Sequence, residues 1–528
     1  MLHMAHSAVR TGMRRLTRRI GGAALAAVLV CTGCATGTGG GGGTAASDSP
    51  ADVAAQQAAA FPDVYAQEVT WRDCTADDGL DAGTAAALKD ADVAPKSIRC
   101  GTVIAPFDWE DPADADRIEL AIVHVPATGA QPLGTLFGNP GGPGERGVDY
   151  TIGMPLSPGF DEVMERYDLL GFDPRGVGDS TPLDCDGAGS ELPVVQMASC
   201  IADNPIAHTM GTSQVARDME LLRSLMGAER LDYLGYSYGT MLGATYSTLF
   251  PERVGRMVLD SAENAQWANL IHTFDQHVAI ANATVALATS CRTAYKDEVE
   301  VCPFVDEESL LTVLNQLDED PLVASDGIQI NGSALRAILT STLYASHFER
   351  GRVLDQIALA LFGDQEAVDE LGSPLTDSDG TVDLAMSIIS CHSFPIEPDV
   401  PGLLEHIRKT GVPRLLGGPE ITDDVLAPFV DITCYTLPES GLDITDTFSF
   451  DAPDAEPILV IGITGDHATP YPYAQALVEE LGNARLLTLD GQGHAASYSG
   501  RSSCIDTAVT QFLLDGELPS EGTVCRDD

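Results

Sequence analysis

The chain has 528 residues, enough for two ordinary domains or for one enzyme domain with a large insertion. Its 44% hydrophobic and 20% charged residues are the balance of a packed globular protein, which excludes a disordered tail, a coiled coil or a disulfide miniprotein. With 29 Lys+Arg against 78 Asp+Glu the formal charge is −49, a field that repels nucleic-acid phosphate and gives no general attraction to anionic lipid, so no nucleic-acid partner is expected.

In chain order, the N-terminus carries the first specific message. Arg10, Arg14, Arg15, Arg18 and Arg19 precede an apolar run from Ile20 to Val30, the layout of an export signal. That run is too short to span a hydrocarbon core, which needs roughly 20 residues of helix. Small residues before Cys34, in Cys31-Thr32-Gly33-Cys34, resemble the lipobox of bacterial lipoproteins. Residues 1–33 are then a signal peptide, and Cys34 is the lipidated first residue of a protein on the outer face of the cell membrane. Ordinary cleavage and secretion is the other reading. The Gly-rich stretch Gly37 to Pro50 predicts a flexible tether, so residues 34–60 are expected to be anchor and linker.

From residue 61 a first core segment is expected to run to 262. Short apolar, β-rich runs alternate there with helical stretches, which predicts a mostly parallel sheet covered on both faces. The predicted strands are Gly101 to Pro106, Ile118 to Val125, Gly134 to Gly138, Tyr167 to Phe172, Leu231 to Tyr236, Val254 to Asp260, Ile458 to Thr464 and Arg485 to Leu489. After the sixth of these eight the rhythm stops. Residues 263–453 carry helical periodicity instead, as in Ser309 to Leu317 and Gly351 to Leu361, and read as a helical cap inserted into the core, which resumes over 454–528.

Ten cysteines remain beyond Cys34, an even number, and in an exported chain that favours disulfides over metal or redox chemistry. They fall as sequence neighbours, so the expected pairs are Cys74 with Cys100, Cys185 with Cys200, Cys291 with Cys302, Cys391 with Cys434 and Cys504 with Cys525.

The strongest chemical signal is Gly235-Tyr-Ser-Tyr-Gly239, a G-x-S-x-G between an apolar strand and a small-residue helix. At such a turn the chain is strained and the nucleophile, Ser237, stands above the sheet, where the following helix N-terminus favours developing negative charge. A serine hydroxyl needs a base and an orienting carboxylate, in chain order Ser, Asp, His. Asp466 follows one predicted strand and His494 the next, so both emerge at the sheet edge that carries Ser237. Asp260, at its own strand end, is the alternative acid. Acyl transfer also needs donors for the oxyanion. Gly141 and Gly142 in Asn139-Pro-Gly-Gly-Pro-Gly144 expose N–H groups after the third strand, and the N–H of Tyr238 is the second donor. A phosphate loop is the rival reading of this turn, but there is no G-K-[ST] and two prolines remove donors.

Together Asn139 to Gly144, Gly171-Phe-Asp-Pro-Arg-Gly-Val-Gly178, Gly235 to Gly239, Asp466-His-Ala-Thr-Pro470 and Gly493-His494 resemble the tripeptidyl aminopeptidase-like branch of the α/β-hydrolases, found in actinobacteria and including mycobacterial cell-envelope serine protease lipoproteins. The resemblance runs from about Cys100 to Cys525. It implies an α/β-hydrolase fold, a Ser237–Asp466–His494 triad, and disulfides at Cys391–Cys434 and Cys504–Cys525. It further implies an exported serine peptidase, an aminopeptidase releasing short, tripeptidyl-type peptides from free N-termini, with an esterase or lipase-like hydrolase or a limited-cleavage endopeptidase using the same triad as the alternative, acting on peptide or protein substrates without metal or organic cofactor. An aminopeptidase must also hold a protonated N-terminus. The chain has Asn264 and Ser393 where the family often has acids, which leaves Glu263 as the expected substitute.

Overall fold

In the computed structural model the described residues are 52–185, 192–296, 299–376, 384–395, 397–429, 432–443 and 450–528. The expected signal peptide, Cys31, Cys34 and most of the tether lie outside them. The expected tether does not extend to residue 60, because Val53–Ala60 is a helix capped by Asp52. Burial decides this: Gln57 is 5% exposed and donates to Arg217 O at 3.0 Å, Asp52 pairs with Arg253 at 2.9 Å, and Phe61 meets Trp109 edge-on at 5.0 Å.

The sheet strands are β1 (Thr70–Asp73), β2 (Arg99–Pro106), β3 (Arg117–Val125), β4 (Gly134–Asn139), β5 (Tyr167–Phe172), β6 (Leu231–Tyr236) and β7 (Val254–Asp260). After a two-residue hairpin in the cap, β8 (Leu322–Val323) and β9 (Gln329–Ile330), the sheet resumes with β10 (Ile458–Gly465), β11 (Ala484–Gln492) and β12 (Val524–Arg526). The order is β1-β2-β3-β5-β4-β6-β7-β10-β11-β12. β1, β2, β3 and β5 pair antiparallel; from β5 onward every pair is parallel. All eight expected strands are present, flanked by two short edge strands that sequence periodicity does not reveal. β1 is exposed along its whole length and β12 has three residues, so neither shows an alternating pattern. A disulfide ties down each edge: Cys74, just past β1, bonds to Cys100 of β2, and Cys525 of β12 bonds to Cys504 in the helix Ser503–Asp515. The other three expected bridges, Cys185–Cys200, Cys291–Cys302 and Cys391–Cys434, are also formed.

Helices cover both faces, so the central strands are apolar on both sides; six consecutive residues of β10, Ile458 to Ile463, are buried. The motif around Asp173 has a structural purpose. Arg175 and Asp218, both fully buried, form an ion pair at 2.7 Å, and Arg175 also donates to Phe107 O at 2.9 Å. Its remaining donors reach Thr209 O, Gln214 and Pro106 O, so the buried charge is left with a full set of partners.

The cap enters after β7 and leaves before β10. Its first part, from the helix Leu270–Thr289 to the helix Gln365–Thr376, packs around its own core of Leu310, Leu314, Leu339, Leu354 and Ile357. The helix Leu384–Ser393 instead joins the main core through Ile388 and Ile389. Among the described residues no helix is long and apolar enough to cross a membrane.

Candidate active site

Parallel strands deliver their C-terminal ends to one edge, and ligands of open α/β sheets bind there. That edge carries Asn139 at the end of β4, Ser237 after β6, Asp260 at the end of β7, Asp466 after β10 and His494 after β11. Ser237 sits in the left-handed region with φ 54° and ψ −125°, and Tyr238 opens the helix Tyr238–Leu249. Few non-glycine residues hold such a conformation, and the cost is offset only where the surroundings fix it. Here the Ser237 N–H donates to Asp260 O at 3.0 Å.

Asp466 and His494 are joined directly. His494 Nδ1–H donates to the Asp466 carboxylate at 2.9 and 3.1 Å, which leaves Nε2 as the free base nitrogen. Asp466 Oδ1 also accepts the N–H groups of Ala468 and Thr469, both at 2.9 Å, and Oδ2 accepts Thr469 Oγ1 at 3.0 Å. The Asp466 side chain is wholly buried and that of His494 is 6% exposed. Burial by itself would raise the Asp466 carboxyl, but the His494 charge and hydrogen bond outweigh it and hold the carboxyl below its ordinary value. Burial likewise opposes protonation of His494; Asp466, followed by Asp260 and Glu263, reverses that and holds the imidazole above its ordinary value.

Asp260, the alternative acid, is otherwise engaged. Its buried carboxylate accepts the N–H groups of Ala496 at 3.1 Å and Ser497 at 2.7 Å, together with the Ser497 hydroxyl. The neighbouring Ser261 Oγ accepts Ala495 N–H at 2.9 Å. Ser261, Ala495 and Tyr498 all adopt positive φ. The end of β7 thus holds the Ser237 turn by a carbonyl and the His494 loop by a carboxylate, setting their mutual position.

One expected oxyanion donor is corrected. The N–H of Gly141 donates to Asn139 Oδ1 at 3.0 Å, so it is turned into its own loop. Gly141 serves by lacking a side chain: a Cβ there would stand 2.4 Å from Tyr236 O and 3.1 Å from both Ser237 Cβ and Tyr238 N. Tyr238 N and Gly142 N remain as the donors that the sequence nominates.

Glu263 lies beside this constellation, 4% exposed, with its N–H on Thr240 Oγ1 at 3.0 Å. One carboxylate oxygen is held by His272 Nε2, and the His272 ring lies against Tyr473 with centroids 4.3 Å apart. The cap reaches His494 through Tyr344, whose ring stands edge-on to His467 at 4.6 Å and to His494 at 5.9 Å. Sequence reasoning missed His272 and Tyr344, since neither lies in a motif. Thr469 lay within a quoted motif, and its hydroxyl two residues past the Asp-His pair was the available signal.

A serine on a strained strand-to-helix turn, with an aspartate-bound imidazole on the same edge and a two-segment core around an inserted cap, is the arrangement of one hydrolase class. Residues 135–290 match the family described as alpha/beta hydrolase fold, and residues 423–525 the family described as TAP-like protein. Serine protease Hip1 of Mycobacterium tuberculosis is 30% identical over 475 residues, covering 82% of this chain and 88% of that protein. The chain belongs to the tripeptidyl aminopeptidase-like α/β-hydrolases. It is a serine hydrolase. Carboxylesterase B of Mycobacterium tuberculosis is also 30% identical, over 474 residues, covering 81% of this chain and 86% of that protein. Tripeptidyl aminopeptidase of Streptomyces lividans is 36% identical over 222 residues, 37% of this chain and 38% of that protein.

Proposed function

We propose that the protein is an exported serine aminopeptidase that releases short, tripeptidyl-type peptides from free N-termini. The observation that supports this reading is Glu263, a buried carboxylate two residues after Ser261 at the end of β7, with its N–H on Thr240 Oγ1 in the helix that Tyr238 opens; in this reading it is the counter-charge of the substrate ammonium. His272 occupies one of its oxygens and orients the group, leaving the other for the substrate.

In the proposed mechanism Ser237 Oγ attacks the scissile carbonyl carbon while His494 Nε2 takes its proton. The oxyanion charge falls between the N–H groups of Tyr238 and Gly142. His494 then gives the proton to the leaving nitrogen as the C–N bond breaks, and water repeats the sequence on the acyl-enzyme. Tyr344 of the cap stands over His494, in keeping with admission of chain ends rather than folded proteins.

Free-N-terminus peptide p-nitroanilides should be cleaved with a kcat/KM about tenfold or more above that of their N-acetylated forms, since a charge-assisted hydrogen bond contributes about 1.5–3 kcal/mol. Glu263→Gln should narrow that ratio. Equal hydrolysis of free and acetylated peptides rejects the aminopeptidase reading. Activity on p-nitrophenyl esters without any on the anilides would instead support the second reading, a carboxylic ester hydrolase, which the relative named carboxylesterase B favours.

The five disulfides support export, since such bonds persist outside the reducing cytoplasm. In the proposed location the protein is held at the outer face of the cell membrane by lipid on Cys34, through more than one acyl chain because a single chain binds only marginally. Cys34→Ala should then appear in the culture medium with unchanged kcat/KM. A wild-type protein already wholly soluble after export would rule out the anchor.

A further inference from the structure

Beside His494 lies a group of polar side chains that the acyl-transfer chemistry does not use. Arg350 comes from the cap helix His347–Leu361. Its Nη2 donates to Leu343 O and stands 3.2 Å from the point that a Cβ on Gly493 would occupy, against the residue that immediately precedes the catalytic histidine. Gly493, at φ 123°, has no side chain to keep the guanidinium away. Among the described residues no carboxylate lies within ion-pair distance of Arg350, although its neighbours are paired: Arg352 with Glu370 and Arg501 with Asp527. Arg350 Nε is buried and has no hydrogen-bond partner.

His467 is the second member. Its side chain is 1% exposed, and both ring nitrogens are buried without a hydrogen-bond partner. It packs edge-on to Tyr344 at 4.6 Å and to His494 at 5.9 Å. Burial lowers its pKa to about 4, with the charges of Arg350 and Arg501 among the further causes, so at neutral pH the ring is uncharged and offers one N–H donor. A buried guanidinium N–H and a buried imidazole N–H are both costly to leave unmatched. A carboxylate answers both, accepting from each and balancing the guanidinium charge. An amine or a neutral carbonyl does not supply that balance.

We infer that Arg350 and His467 form a carboxylate subsite beside His494 for the leaving portion of the substrate, which makes the preferred substrate a short free peptide with both ends charged. The inference rests on the aminopeptidase reading of Glu263 for its direction. In the sheet order Glu263 follows β7 and Arg350 packs against the residue after β11, with β10 and its Asp466 between them. The C-terminal carboxylate of a peptide always belongs to the portion that leaves when the acyl-enzyme forms, so such a subsite reads the leaving portion. The carboxylate itself is either the C-terminus or an acidic side chain of the leaving portion.

The test uses the purified mature enzyme and free-N-terminus oligopeptides whose leaving portion ends in an acid, in an amide, or in an amide that also carries a glutamate side chain. The acid should exceed the plain amide by about tenfold in kcat/KM, expressed mainly in KM. Recovery with the glutamate amide would assign recognition to a side-chain carboxylate, and no recovery to the chain end. Arg350→Gln should bring acid and plain amide to the same kcat/KM, whereas Arg350→Lys should keep part of the preference. Because the readout is a ratio within each preparation, partial misfolding does not imitate the result. Equal cleavage of all three substrates by the wild type, or a preference that survives Arg350→Gln, overturns the subsite. The product peptides as acid and amide, used as competitors of p-nitrophenyl ester hydrolysis, give the same contrast as a ratio of inhibition constants. That arm still reads the subsite if peptide bonds prove not to be cleaved, and the acetylation comparison separately reads the role of Glu263.

Discussion

Replacing Ser237 with alanine is expected to lower turnover by a factor on the order of 10^4 to 10^6 while leaving the fold intact. The reason for the size is that in the proposed mechanism Oγ is the attacking atom, and alanine leaves the acyl-enzyme route without its nucleophile. The reason for the intact fold is local. Ser237 holds its turn through its backbone, with its N–H on Asp260 O and its carbonyl accepting Thr240 N–H at 2.8 Å and Thr240 Oγ1 at 2.6 Å. Alanine keeps all three bonds and tolerates φ 54° no worse than serine does. The measurement is p-nitrophenyl ester and peptide anilide turnover, with thermal unfolding as the control and a serine-directed phosphonate as the label. A variant that retains more than about one part in a hundred of the activity, or that is still labelled, would remove Ser237 from its role.

The next largest effect is expected at Asp466. Asp466→Asn should cost about 10^4-fold in kcat, because an amide can present an N–H to His494 Nδ1 and so select the tautomer whose Nε2 carries the proton. It should also move the acid limb of the pH profile. The base form is neutral His494, and its pKa stands above the ordinary value of about 6.5, so kcat/KM in the wild type should fall as pH drops through a value higher than that. Removing the Asp466 charge removes the main opponent of desolvation, and the residual activity should therefore persist to lower pH. Asp260→Asn supplies the comparison. Its carboxylate binds Ala496, Ser497 and the Ser497 hydroxyl rather than the imidazole, so the loss should be roughly 10- to 100-fold, from a misplaced histidine loop. A larger loss at Asp260 than at Asp466 would exchange their roles.

Much of this site was legible before any coordinates. The central strands are buried on both faces and announce themselves as apolar runs; Tyr167–Phe172, Leu231–Tyr236 and Val254–Asp260 match their expected bounds residue for residue. Once the strands are placed and taken as parallel, side chains that follow β6, β10 and β11 must share one edge, and Ser237, Asp466 and His494 all stand on it. The cysteine pairs were readable for a related reason, since bridges between close sequence neighbours need only local chain geometry.

Other features were decided by tertiary contact alone. Asp260 and Asp466 both stand at strand ends and are chemically alike. What separates them is that Ser497, 237 positions along the chain, reaches one, while His494 reaches the other. The helix at Val53–Ala60 looked like the end of a linker because its small residues carry little apolar pattern; it is held by Arg217 and Arg253, more than 150 residues away. The Gly141 N–H was free on paper and is taken by Asn139 only because the loop closes on itself. Glu263 was visible as an acid, but its partner His272 and the cap residues Tyr344 and Arg350 belong to no motif. Sequence pattern records backbone periodicity and local bonding, which act over a few residues. The choice among equivalent polar partners is made by which atoms the packed core brings within hydrogen-bond distance, and that is a property of the folded chain.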